Sequence, residues 1–151
     1  MELTRRQALA LSAGAVAFAG LGFVPGPASA DAAAAEKRLM DFTGGKAPQE
    51  GRITLTAPEI AENGNTVPIS VSVDSEMTPD SYVEAVMLVA DGNPNPAVAT
   101  FNFTPSSGVA AATTRMRLAQ TQNVIAVARM NDGSAYIDRK QVKVTIGGCG
   151  G

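Results

Sequence analysis

Val67-Pro68-Ile69-Ser70-Val71-Ser72-Val73 places an apolar residue at every odd position and a proline or serine at every even one. A period of two marks a strand with one face in a core and the other in solvent. Valine and isoleucine also fit a pleated surface, so propensity and pattern agree. Pro68 has no backbone N–H and is therefore expected at a sheet edge or a bulge. A second stretch, Tyr82 to Ala90 (YVEAVMLVA), is apolar almost throughout. That is the pattern of a central strand covered on both sides.

Working outward, Ile53 and Leu55 alternate with Arg52, Thr54 and Thr56. Ala97 to Phe103 follows the turn-rich Asp91-Gly92-Asn93-Pro94-Asn95-Pro96, and Thr113–Leu118 and Asn123–Arg129 are two more strand candidates. Asn131-Asp132-Gly133 is a hairpin turn feeding Ala135–Ile146, where Val142, Val144 and Ile146 share a face. About seven short strands with turns every ~8–12 residues predict an all-β domain over 46–146, an immunoglobulin-like antiparallel β-sandwich. Before it, segment 31–45 holds the alanine-rich Asp31–Phe42, a short helix ended by Gly44-Gly45 with Leu39 and Phe42 on one side. No internal repeat, coiled coil or low-complexity tract interrupts the mature part.

The chain has 151 residues, a one-domain length, with 45% hydrophobic and only 17% charged residues. A net charge of −2 without a lysine or arginine run argues against nucleic-acid binding and gives no attraction to anionic membranes. There is no histidine and a single cysteine. An imidazole-based catalytic triad, a His/Cys zinc site, histidine-ligated haem and an intramolecular disulfide are all ruled out within this chain. No cofactor is expected.

Residues 1–30 have the organisation of an export signal. Arg5 and Arg6 precede the uncharged Ala8–Val24, Pro25-Gly26-Pro27 breaks it, and Ala28-Ser29-Ala30 supplies a small-residue cleavage site. Cleavage before Asp31 would leave roughly 120 residues. The paired arginines, with a mildly hydrophobic Gly/Ala-rich stretch behind them, point to the twin-arginine route and a periplasmic location. The alternative, an uncleaved anchor, fits poorly. About 17 apolar residues are short for a span, and alanine and glycine hold weakly in lipid, so no stable membrane association is expected. Twin-arginine export carries folded proteins, usually with a cofactor. Without cofactor ligands here, the remaining reason is a partner subunit exported alongside.

The chain ends in Gly147-Gly148-Cys149-Gly150-Gly151. Glycine is the costliest residue to order, so this segment is predicted to be a flexible tether carrying one thiol. Fully extended, the three residues from Ile146 to Cys149 reach about 10 Å. Four glycines cannot wall a core around a structural cysteine. Prenylation needs three residues after the cysteine, and this chain has two. A disulfide-linked homodimer through Cys149 stays open. The thiolate is the reactive form, yet nothing adjacent in sequence stabilises it. The terminal carboxylate two residues on disfavours it by only ~0.6 kcal/mol at ~7 Å in water. The free thiol is thus expected to be ordinary and to be activated elsewhere.

This GGCGG end, after the strand Val142-Lys143-Val144-Thr145-Ile146 and paired with the twin-arginine signal, resembles the SoxY family of the periplasmic sulfur-oxidation system. The likeness spans signal, helix, sandwich and tail. It implies a non-enzymatic carrier that pairs with a SoxZ-like subunit and holds thiosulfate or another sulfur oxyanion as an S-adduct on Cys149. It further implies transient contacts with a c-type cytochrome complex, a sulfate-releasing hydrolase and, in some organisms, a sulfane dehydrogenase. The rivals are a thiol redox protein, which lacks a resolving cysteine, and an immunoglobulin-like interaction module crosslinked through its tail.

Other residues are weaker candidates for chemistry. Asp80 with Glu84, and Asp74 with Glu76, are candidate carboxylate pairs more simply explained as strand ends and loops. Met40, Met77, Met87, Met116 and Met130 lack ligand spacing and are expected in packing. Arg115, Arg117 and Arg129 would form a basic patch if their strands were neighbours, and the loop 91–96 could touch a partner. The export assignment is checked by sequencing the periplasmic protein, which should begin at Asp31. Replacing Arg5 and Arg6 with lysine should leave the chain in the cytoplasm.

Overall fold

The computed structural model describes residues 30–146. Helix α1 is Ala30–Thr43, followed by β1 (Gln49–Glu50), β2 (Ile53–Thr56), β3 (Ile60–Ala61), β4 (Val67–Val73), β5 (Val83–Ala90), β6 (Ala97–Asn102), β7 (Ala110–Met116), β8 (Gln122–Met130) and β9 (Ala135–Val144). One sheet has the order β1-β9-β8-β5-β6, with β3 also joined to β9, and the other is β2-β4-β7. The predicted sandwich is present, with two additions. β1 and β3 are two-residue strands, and both run parallel to β9. Strands this short leave no periodicity to read. They arise because residues 49–61 weave from one sheet to the other and back.

The alternation in β4 becomes layering: Val67, Ile69, Val71 and Val73 are buried against the other sheet. β4 is the middle strand of its sheet, so the edge expected from Pro68 is local. β2 pairs only from Ser70 to Val73, while Pro68 extends beyond it opposite Arg115 of β7. The proline therefore has no β2 neighbour that needs its missing N–H.

β5 is central, as predicted, and is covered on both faces. Val83, Val86, Leu88 and Ala90 face the inner core, while Met87 and Val89 join the outer cluster. Val83 and Val86 share a face although three residues apart. A bulge between Val83 and Ala85 absorbs the extra residue. On β8, Val124, Ala126, Ala128 and Met130 face inward and Ile125 and Val127 outward. Helix α1 covers that outer face with Ala35, Leu39 and Phe42. Arg129 fastens the helix end to the sheet. Its Nε donates to Glu84 Oε2 at 3.0 Å, its Nη1 donates to the Phe42 carbonyl at 3.1 Å, and its guanidinium lies 5.1 Å from the Phe42 ring centre. Cation–π contact and a capped helix carbonyl act together there.

The β8–β9 turn is a hairpin with Gly133 at φ +79°, closed by Met130 N–H to the Ser134 carbonyl at 2.8 Å. Asp132 accepts from the Ser134 hydroxyl at 2.6 Å and its N–H at 2.8 Å, which holds this exposed carboxyl below its usual range. A lowered folded-state value means its contribution is present above the ordinary aspartate range and fades as pH falls through the folded value.

One side chain ties the two sheets at their open flank. β2 is an edge strand, and Asp138 of β9 accepts the Leu55 N–H through Oδ2 at 2.8 Å. Asp138→Ala leaves that donor without its partner and is expected to lower stability by about 1–3 kcal/mol in urea unfolding. A loss below about 0.5 kcal/mol would mean that the bond contributes little.

Candidate functional site

β9 delivers the chain to the tail, and its last turn of backbone is gripped from two sides. Lys143 N–H donates to the Glu59 carbonyl at 2.9 Å, and Thr145 N–H donates to the Ala61 carbonyl at 3.1 Å. Val144 N–H donates to Thr121 Oγ1 at 3.0 Å. Ile146 has a 70% exposed side chain, yet its carbonyl accepts the Gly64 N–H at 3.1 Å. The backbone is thus fixed up to the last described residue.

Gly64 is a bridge. Its carbonyl accepts the Leu118 N–H at 2.7 Å while its N–H holds Ile146. The next residue, Asn65, is set by an Asx turn in which its N–H donates to Asn63 Oδ1 at 2.9 Å. Asn65 Oδ1 then accepts Arg117 Nε at 3.1 Å. Three strands of backbone, at 64–65, 117–118 and 145–146, therefore meet at one end of the sandwich.

The loop 91–96 locks this end. Asn93 Nδ2 donates to the Arg117 carbonyl at 2.8 Å, and Asn93 Oδ1 accepts from Ala119 N–H at 3.0 Å and Gln122 Nε2 at 2.8 Å. Gln122 is 5% exposed, and its Oε1 accepts the Gly92 N–H at 2.8 Å. A side chain at position 92 would place its Cβ 3.0 Å from Gln122 Cβ, a tight contact that Gln122 would have to yield to by a few tenths of an ångström. Asp91 completes the lock by accepting from Asn123 N–H at 2.9 Å and Asn123 Nδ2 at 2.8 Å. The sequence reads this loop equally well as plain turn chemistry or as a partner contact. Its residues also hold residues 117–123 in place. The available signal was the density of amide side chains in three separate loops, Asn63/Asn65, Asn93/Asn95 and Gln120/Gln122.

Cys149 and the glycines Gly147, Gly148, Gly150 and Gly151 lie outside the described residues, as do Arg5, Arg6 and Ala28. Ala30 opens α1. The basic patch is not assembled: Arg129 sits under α1 on the outer sheet face, whereas Arg115 belongs to β7 and Arg117 follows it. Glu84 is paired with Arg129, and Asp80 lies in a turn where its carbonyl accepts from Asn131 Nδ2 at 3.0 Å. They do not form a carboxylate pair. Asp74 and Glu76 border an open cleft with Arg52, Ser75 and Ser81. Met77, Met87, Met116 and Met130 are buried in packing, and Met40 is partly exposed on α1. Among the described residues no group of three or more His, Cys, Asp or Glu could hold a metal ion. No described helix is long and apolar enough to cross a membrane.

Comparison with curated protein sequences gives no match. The sulfur carrier protein SoxY from Chlorobium limicola f thiosulfatophilum is 32% identical, with 76% of this chain and 99% of that one covered at a TM-score of 0.63. The superoxide reductase (neelaredoxin) from Ignicoccus hospitalis is 21% identical over 69% of this chain and 91% of its own, with a TM-score of 0.55, a likeness of fold alone. The family described as sulfur oxidation protein SoxY matches residues 39–149, from the helix that covers the sheet to the tail cysteine. On a match that begins in α1 and runs through residue 149, the chain belongs to the SoxY family.

Proposed function

We propose that this chain is a carrier that holds sulfur intermediates covalently on Cys149 and presents them to other enzymes. The observation that carries this reading is the extent of the family match, which reaches residue 149, together with a solved relative that is itself a sulfur carrier protein. The tail root supports it physically. A backbone fixed through Ile146 gives the following residues a defined origin, and glycines give them reach and a thin profile.

In this reading the Cys149 thiolate and thiosulfate join through a new S–S bond, giving Cys149–S–S–SO3− and releasing two electrons to a c-type cytochrome complex. A hydrolase then adds water to the sulfonate sulfur, which leaves as sulfate with two protons and leaves a persulfide anion on Cys149. In organisms that have one, a sulfane dehydrogenase oxidises the remaining sulfur. The chain supplies attachment and delivery, and its partners supply catalysis. It pairs with a SoxZ-like subunit, and the heterodimer reaches the periplasm by the twin-arginine signal on this chain.

The test is the mass of the C-terminal tryptic peptide, residues 144–151, from cells grown on thiosulfate. It should carry an S2O3 unit or a shorter sulfur chain that a thiol reductant removes, and Cys149→Ser should carry none while folding normally. Recovery of sulfenic acid alone, or of a symmetric disulfide dimer alone, would favour a redox or crosslinking role instead.

A further inference from the structure

Asn63-Gly64 is the one asparagine–glycine pair in the chain. Asn93 and Asn95 precede prolines, while Asn65, Asn102, Asn123 and Asn131 precede threonine, phenylalanine, valine and aspartate. An asparagine carboxamide is chemically labile because the backbone nitrogen of the next residue can attack it. Proline has no N–H to give up, and any side chain on that next residue crowds the ring that forms. Glycine lacks the obstacle. Asn63 is therefore the residue that sequence singles out, and its side chain is exposed.

The fold engages both reacting groups. The attacking nitrogen belongs to buried Gly64, whose N–H donates to the Ile146 carbonyl at 3.1 Å. The carboxamide under attack accepts the Asn65 N–H through Oδ1 at 2.9 Å. Ring closure must first release Gly64 from Ile146. The product is disruptive at the same place. Water opens the ring to aspartate or to isoaspartate, and in isoaspartate the main chain runs through the side-chain carboxyl. That path is longer by one carbon–carbon bond, about 1.5 Å. Gly64 bridges Ile146 and Leu118 by bonds of 3.1 and 2.7 Å. Hydrogen bonds of this kind tolerate only about 2.7–3.2 Å, so a shift of about 1.5 Å cannot keep both.

We propose that Asn63-Gly64 is a deamidation site held shut by the bond from Gly64 to Ile146, and that its conversion to isoaspartate undoes the Gly64 bridge at the end of β9. The Gly64 nitrogen bonds to Asn63 Cγ and gives up its proton, the Cγ–Nδ2 bond breaks, and ammonia leaves. One water then opens the imide, so no oxidant or second protein is needed. Lys143 and Thr145 keep their bonds to Glu59 and Ala61, which confines the release to residue 146. Neither step involves Cys149 or sulfur, so this site and the carrier reading stand or fall separately.

The test incubates the full chain at mildly alkaline pH, folded and in denaturing urea. Conversion is followed by mass and isoaspartate content of the peptide 63–76, released by cleavage after Glu62 and Glu76. In urea Asn63 should convert before every other asparagine. In the folded chain its conversion should be about five- to thirtyfold slower, the factor expected for a held hydrogen bond. Hydrogen exchange at the Gly64 and Leu118 amides should be faster in the isoaspartate form by a similar factor. Asn63→Asp adds the charge without the extra carbon and should exchange there as the unaltered chain does. Another asparagine converting first in urea, or equal Asn63 rates folded and unfolded, overturns the proposal. So does an isoaspartate form whose Gly64 and Leu118 amides stay as protected as before, or an Asn63→Asp chain that loosens them equally.

Discussion

Strands β5 and β8 carry apolar side chains on both faces, and neither face can be left to water. The inner face is closed by the three-stranded sheet, through Leu55, Val67, Ile69 and Val71 among others. The outer face is closed by one helix. Met87, Val89, Ile125, Val127 and Ile137 lie beneath Ala35 and Leu39. Side chains of this size contribute about 1.5–3 kcal/mol each on burial, an upper estimate. Five of them rival the net stability of a whole domain, about 5–15 kcal/mol. Helix α1 is therefore part of the core, although its own sequence is mostly alanine and charge. Cleavage before Asp31 would leave every residue of that contact in place.

At one end of this sandwich the last residues of β9 meet the neighbouring loops. There, three loops of amide and glycine residues fix the backbone on either side of Ile146, so stiffness continues up to the last described residue.

Much of this was legible because it is periodic. The two-residue alternation of Val67–Val73 and the continuous apolar run at 83–90 gave the strands and their faces directly. Leu39 and Phe42 gave the buried side of the helix. β1 and β3 were not legible, since two residues carry no period and their pairing with β9 depends on the weave between sheets. Arg129 was read as a possible patch member because its distance from Arg117 in space depends on which sheet each strand joins. The amide lock around Asn93 and Gln122 was missed for the same reason: each loop alone looks like a turn, and only the sheet order brings them together. Cys149 and its glycines, read from composition alone, lie outside the described residues.

The central claim is that this thiol is a handle and that its reactivity is supplied by others. The most direct measurement is the pH dependence of Cys149 alkylation by a neutral reagent in the isolated full-length chain. The account predicts the titration of an ordinary exposed thiol. A titration far into the acidic range would show a thiolate stabilised by this protein itself and would make Cys149 a catalytic residue.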